Sequence, residues 1–177
     1  GMINTNSLHV NNTLTGSNAN LTGQIDGNSV HIKNHAIIEG CLNAGSLSGS
    51  NATITGCLSA NNASITGCLS AGSLSANNAS ITGCLSANSA NISGCLTVPS
   101  LSANNANISG CLTVMNANIT GCLTVNTANI NGCISATGAN IAGQIDGNNL
   151  HISNNANING CLTVPSLSAN NVNITGC

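Results

Sequence analysis

The run "ANITGCLTVNTANINGC", from Ala117 to Cys133, states one phrase twice. A chain built this way is confined to repeat architectures, in which each unit needs its neighbours to bury a core. The cysteines stand at 41, 57, 68, 84, 95, 111, 122, 133, 161 and 177, so the gaps are 16, 11, 16, 11, 16, 11, 11, 28 and 16. Gln144, in "ANIAGQID", divides the long gap, and Gln24, in "ANLTGQID", fills the same slot near the start. The chain therefore carries twelve copies of one module, ten with Cys and two with Gln, reading A-x-[IL]-x-G-[CQ]-[LI]-x-[AV] with small departures at the ends.

Within a module the apolar residues alternate. Ala117, Ile119, Gly121, Leu123 and Val125 fall on one side, and Asn118, Thr120, Cys122 and Thr124 on the other. Period two is the signature of a strand; a helix would scatter this set around its circumference. The glycine suits a bend or a close backbone approach. Two-residue links such as Asn61-Asn62, Asn88-Ser89 and Asn126-Thr127 carry residues that tolerate turns. Each module thus reads as two short strands meeting at a glycine corner.

Some modules are followed by one more short strand: "AGSLSG" (44–49), "AGSLSA" (71–76) and "VPSLSA" (98–103 and 164–169). "GNSVHI" (27–32) and "GNNLHI" (147–152) fill the same place. The insert lengthens an 11-residue period to 16 or 17, so that all sides measure about five to six residues, one face of a triangular β-helix. Pro99 and Pro165 open two inserts, where a corner can spare an amide donor. The expected fold class is all-β, a β-helix or solenoid. Residues 1–16 form a lead-in and 17–177 one repetitive shaft domain.

Composition narrows the function. The chain has one Lys, no Arg, three acids and no aromatic residue. Nucleic-acid binding lacks its phosphate partners, and no apolar run reaches the roughly 18 residues of a membrane helix. Apolar content of 41% with strict periodicity argues against disorder. The N-terminal "GMINTNSLHV" is polar, so no signal peptide is visible, and its leading Gly reads as a cloning remnant.

A coil as short as the smaller cysteine gap would have two sides and one as long as the larger gap three, so a cysteine column in a single-chain solenoid is expected to lose register. An intertwined trimer avoids that difficulty and also closes exposed strand edges. The trimer is therefore the favoured arrangement and the single-chain solenoid the alternative. Segments such as "GCLTV" and "NANITG" resemble the "G-x-L-T-V" runs in the shafts of phage and virus fibres and related trimeric surface fibres. The resemblance covers about Ser17 to Cys177. It implies a structural shaft that projects a tip at a virion or cell surface; with the residue-level readings, the expectation is a non-enzymatic homotrimer with no cofactor, metal or membrane insertion. The receptor-binding or chaperone domain that usually accompanies such shafts is absent, and the chain stops inside a module at "NVNITGC", which reads as a fragment of a longer fibre or as an end completed by another chain.

The candidate sites are few. Cys41, Cys57, Cys68, Cys84, Cys95, Cys111, Cys122, Cys133, Cys161 and Cys177 form a row of disulfides or of small half-buried thiols. Gln in two slots favours thiols, since Gln cannot crosslink. Spacings of 11 and 16 lack the local clustering of a metal site. His9, His31 and His151 point outward, and His35 lies near them. The serines have no base or orienting partner, so no nucleophile is assembled. Repetitive antifreeze β-solenoids are similarly poor in charge and aromatics, which makes ice binding the alternative function. Its contact face would draw on Thr55, Thr66, Thr82, Thr97, Thr113, Thr120, Thr124 and Thr163.

Overall fold

The computed structural model describes residues 2–3 and 7–176, with side chains from residue 8 onward. It is all-β, 86% strand without helix, wound as a parallel β-solenoid of about ten turns. Ten strand runs, from Met2–Ile3 to Ser166–Ile174, pair in parallel. The longest run, Leu96–Ile141, holds 46 residues and bends through several corners as one continuous strand run.

The residues from Leu58 to Ser73 show how the sequence makes a coil. Leu58-Ser59-Ala60, Ala63-Ser64-Ile65 and Leu69-Ser70-Ala71 are three sides, each buried–exposed–buried. Asn61-Asn62, Thr66-Gly67-Cys68 and Gly72-Ser73 are the three corners. Three sides of three residues, two corners of two and one corner of three make sixteen, and the next coil begins with Leu74 above Leu58. Where a coil has two three-residue corners the spacing is seventeen, as between Ile25 and Leu42.

The inward residues stack in three columns. Leu58, Leu74, Ala90 and Ala106 belong to face A. Ala63, Ala79 and Leu96 belong to face B, and Ala52, Leu69, Leu85 and Leu101 to face C. The interior is a thin filling of Leu, Ile, Val and Ala, and among the described residues no polar side chain is buried. Each fully buried Leu, Ile or Val contributes about 1.5–3 kcal/mol. Because the filling is aliphatic and one layer deep, no aromatic side chain is needed.

The coil-length expectation is corrected here. No described coil is as short as the smaller cysteine gap; the coils run to sixteen or seventeen. A module covers two sides, a coil three, and the common unit is the five- to six-residue side. Register shifts in the ladder fall at corners, where three residues stack on two. Ile54/Cys57, opposite Ala71/Ser73, is one such place, and Ile130/Cys133, opposite Gly147/Asn149, is another. The bulge is absorbed at a bend and the flanking sides stay aligned. The stack also begins ahead of Ser17: Ser7–Leu21 is one strand run, with Leu14 in the core.

Candidate functional site

The cysteine corners are where the chemistry collects. After the shorter cysteine gap the chain has run two sides, so the next cysteine arrives one corner early. After the longer gap the coil has closed, and the cysteine lands above its predecessor. The row predicted from sequence is therefore distributed over three corner columns. Cys41, Cys57 and Cys122 precede face A; Cys95, Cys111 and Cys161 precede B; Cys68, Cys84 and Cys133 precede C. Cys177 lies outside the described residues.

Each described cysteine meets one of three neighbours below, an asparagine, another cysteine or a module glutamine. Where its three-residue corner sits on a two-residue corner, the bulge leaves an amide without a ladder partner, and an asparagine side chain accepts it. Cys68 N–H donates to Asn51 Oδ1 at 2.8 Å, Cys95 to Asn78 at 2.9 Å, Cys122 to Asn105 at 3.0 Å and Cys133 to Asn116 at 3.1 Å. Where two three-residue corners stack, cysteine meets cysteine, except that the corners of Cys41 and Cys161 lie on those of Gln24 and Gln144. Cys68 and Cys84 are disulfide-bonded with Cα atoms 4.6 Å apart, and Cys161 is disulfide-bonded as well. Cys57 N–H donates to Cys41 Sγ at 3.4 Å. The hydrogen bond to Cys41, then charge repulsion from it and slight burial, push the Cys57 thiol above its usual pKa. Cys111 is raised by the same causes through Cys95. Cys41, Cys57, Cys95, Cys111, Cys122 and Cys133 are free thiols, exposed or half-buried.

The asparagines that accept these amides do not stand out in the module pattern. Their signal is present all the same: Asn51, Asn78 and Asn105 each precede a module cysteine by one seventeen-residue step. Gln24, in a cysteine slot, turns along its own strand and donates to both carboxylate oxygens of Asp26, at 3.0 and 2.9 Å.

The eight threonines do not share a face. Thr97, Thr113 and Thr163 lie mid-face on B, Thr124 mid-face on A, Thr66 and Thr82 on the corner between B and C, and Thr55 and Thr120 on the corner between C and A. Several corner hydroxyls are committed to the coil below: Thr82 to the Thr66 carbonyl and Thr120 to Asn104 Oδ1 at 2.8 Å. Thr55 donates to the Glu39 carbonyl at 2.5 Å. His9, His31, His35 and His151 are exposed, and His31 Nδ1 shares a hydrogen bond with Ser48 Oγ at 2.7 Å. Among the described residues no three His, Cys, Asp or Glu side chains gather. A shallow groove of about 590 Å³ runs along face A, lined by Asn and Ser with His9 and Asp26 at one end. Comparison with known protein families, curated proteins and solved structures finds no match.

Proposed function

We propose that this chain is a non-enzymatic structural element, a stiff rod serving as the shaft of a fibre at a virion or cell surface and spacing a tip from its base. The observation that carries the reading is the uniformity of the stack. Coil after coil repeats one cross-section, and the polar side chains at its corners are spent on the coil beneath rather than converging on a ligand. Ladders such as Asn173 to Asn157 and Asn171 to Asn155, each 3.1 Å, lengthen the same pattern along the rod. Such a ladder adds stiffness along the axis at no cost to the core.

In this fold one chain closes all three sides of each coil, which supports reading the working unit as a single-chain rod, with a homotrimer as a bundle of such rods. About ten turns at roughly 4.8 Å per rung give a rod of roughly 50 Å. Three interwoven chains would instead make a needle of roughly 150 Å. Small-angle scattering on the full chain supplies both mass and longest dimension. A longest dimension near the shorter figure is expected; the longer one, with the mass of three chains, overturns the single-chain rod in favour of interweaving. The spread of threonines over two faces and two corners weighs against the ice-binding alternative. Inhibition of ice recrystallisation by the wild-type chain, lost on replacing Thr97 and Thr113 by Val, would overturn the structural reading.

A further inference from the structure

Among the described residues, three cysteine pairs share one separation, sixteen residues, and one corner geometry: Cys41/Cys57, Cys68/Cys84 and Cys95/Cys111. Only the middle pair is bonded. In each pair the residue before the upper cysteine is a glycine stacked on the glycine before the lower one. Gly56 N–H donates to the Gly40 carbonyl at 3.2 Å and Gly83 N–H to the Gly67 carbonyl at 3.0 Å. A side chain at Gly110 would strike the Gly94 carbonyl in the same manner as one at Gly83 would strike Gly67. The backbone that holds Cys68 and Cys84 with Cα atoms 4.6 Å apart is thus repeated at the other two corners. That spacing is inside the range a disulfide spans, about 4.4–6.8 Å. The lower sulfur already lies against the upper corner: Cys57 N–H donates to Cys41 Sγ at 3.4 Å, and a Cβ at Gly56 would lie 3.2 Å from that sulfur. Cys57, Cys95 and Cys111 are exposed, and Cys41 is half-buried, so a reagent in solution reaches each pair.

We propose that Cys41–Cys57 and Cys95–Cys111 are two further inter-coil disulfide sites, which with Cys68–Cys84 lace one corner column after another up the rod. The oxidant is a small-molecule disulfide such as oxidised glutathione. One cysteine thiolate attacks it, forming a mixed disulfide and releasing one small thiol. The second cysteine, deprotonated, attacks the protein sulfur of that mixed disulfide and releases the other small thiol. The pair loses two electrons and two protons, and the oxidant gains them.

Each bond closes a loop of one coil, and the three sit on corners A, C and B in turn as the chain rises from Cys41 to Cys111. A staple on one column leaves the other two free to hinge. Staples on all three, at successive levels, hold the middle of the rod against peeling from any side. The lacing is independent of what the rod carries.

The test is differential alkylation of the full chain. The protein is equilibrated in a glutathione redox buffer with the reduced form in excess, so that mixed disulfides on solitary cysteines return to thiols. It is transferred out of the buffer and denatured without reductant, and free thiols are blocked with one reagent. It is then reduced and labelled with a second reagent, and each cysteine is scored by mass spectrometry of peptic fragments; one Lys and no Arg make trypsin useless here. Cys41, Cys57, Cys95 and Cys111 should carry the second label, and Cys122 and Cys133 the first. In Cys57→Ser, Cys41 alone should switch to the first label while Cys95 and Cys111 keep the second. First label on both members of either pair overturns the proposal, as does persistence of the second label on Cys41 in Cys57→Ser, which would reveal another partner. Because the wild-type protein decides the first question, a variant that fails to fold does not rescue the idea.

Discussion

A methyl group added at Gly56 tests the stacking of like corners directly. The glycine has no positive φ, so alanine carries no backbone strain there, and the whole effect comes from proximity. A Cβ at Gly56 would lie 2.5 Å from the Gly40 carbonyl oxygen and 3.2 Å from Cys41 Sγ. Ordinary contact requires the corners to part by roughly 1 Å, since overlapped atoms are repelled steeply. The Gly56 N–H to Gly40 bond, at 3.2 Å, is already long and is lost in that movement. Its loss costs about 1 kcal/mol and the overpacking about 1–3 kcal/mol. The stiffer unfolded chain of alanine returns about 0.4–1 kcal/mol. The net is a loss of about 2 kcal/mol, or about 4–8 °C in melting temperature at this chain length. Gly138 is the control. Its nearest neighbour to an added Cβ is the Asn155 carbonyl at 3.9 Å, so Gly138→Ala keeps the entropy gain alone and should raise the melting temperature by about 1–4 °C. Thermal melts followed by circular dichroism, under reducing conditions so that no disulfide masks the difference, give both numbers. Shifts of the same sign, or a neutral Gly56→Ala, would show that like corners do not stack within one chain.

Three further outcomes are expected. Ile119→Asp places a carboxylate at a position 1% exposed and should cost several kcal/mol, whereas Thr120→Asp, next door and outward, should cost under about 1 kcal/mol; equal losses in urea midpoints would refute the period-two assignment. Asn105→Ala removes the acceptor for the Cys122 amide, 3.0 Å away, and should lose up to about 1 kcal/mol, with Asn105→Asp retaining most of it; an identical loss in both would deny the cap its role. In the reduced protein Cys57 and Cys111 are raised by hydrogen bonds to Cys41 and Cys95. A raised thiol pKa means less thiolate at mildly alkaline pH, so their iodoacetamide rates should lag a peptide thiol below about pH 9 and catch up above it; Cys41→Ser should remove the lag at Cys57, and an unchanged pH profile in that variant would dismiss the thiol–thiol contact.

What the sequence determined by itself is local. Alternation of Ala, Ile, Leu and Val with Ser, Thr and Asn sets which side chains face inward, because successive residues of a strand point to opposite faces whatever the partner. The buried set follows it: Ala117, Ile119, Leu123 and Val125 are core and Thr120 and Thr124 are outside. The glycine corner and the five- to six-residue side were legible for the same reason. What only the tertiary structure decided is phase. Whether Cys57 lies over Cys41 or over an asparagine depends on the summed lengths of three corners, each two or three residues, and a single extra residue moves every later side by one place. No window shorter than a coil contains that sum. The one cysteine row read from the modules therefore became three columns, and the threonines that a motif alignment placed side by side came to rest on different faces and corners. The asparagine caps escaped notice for the same cause: Asn51 and Cys68 are neighbours only after a seventeen-residue turn brings the bulged corner above the tight one.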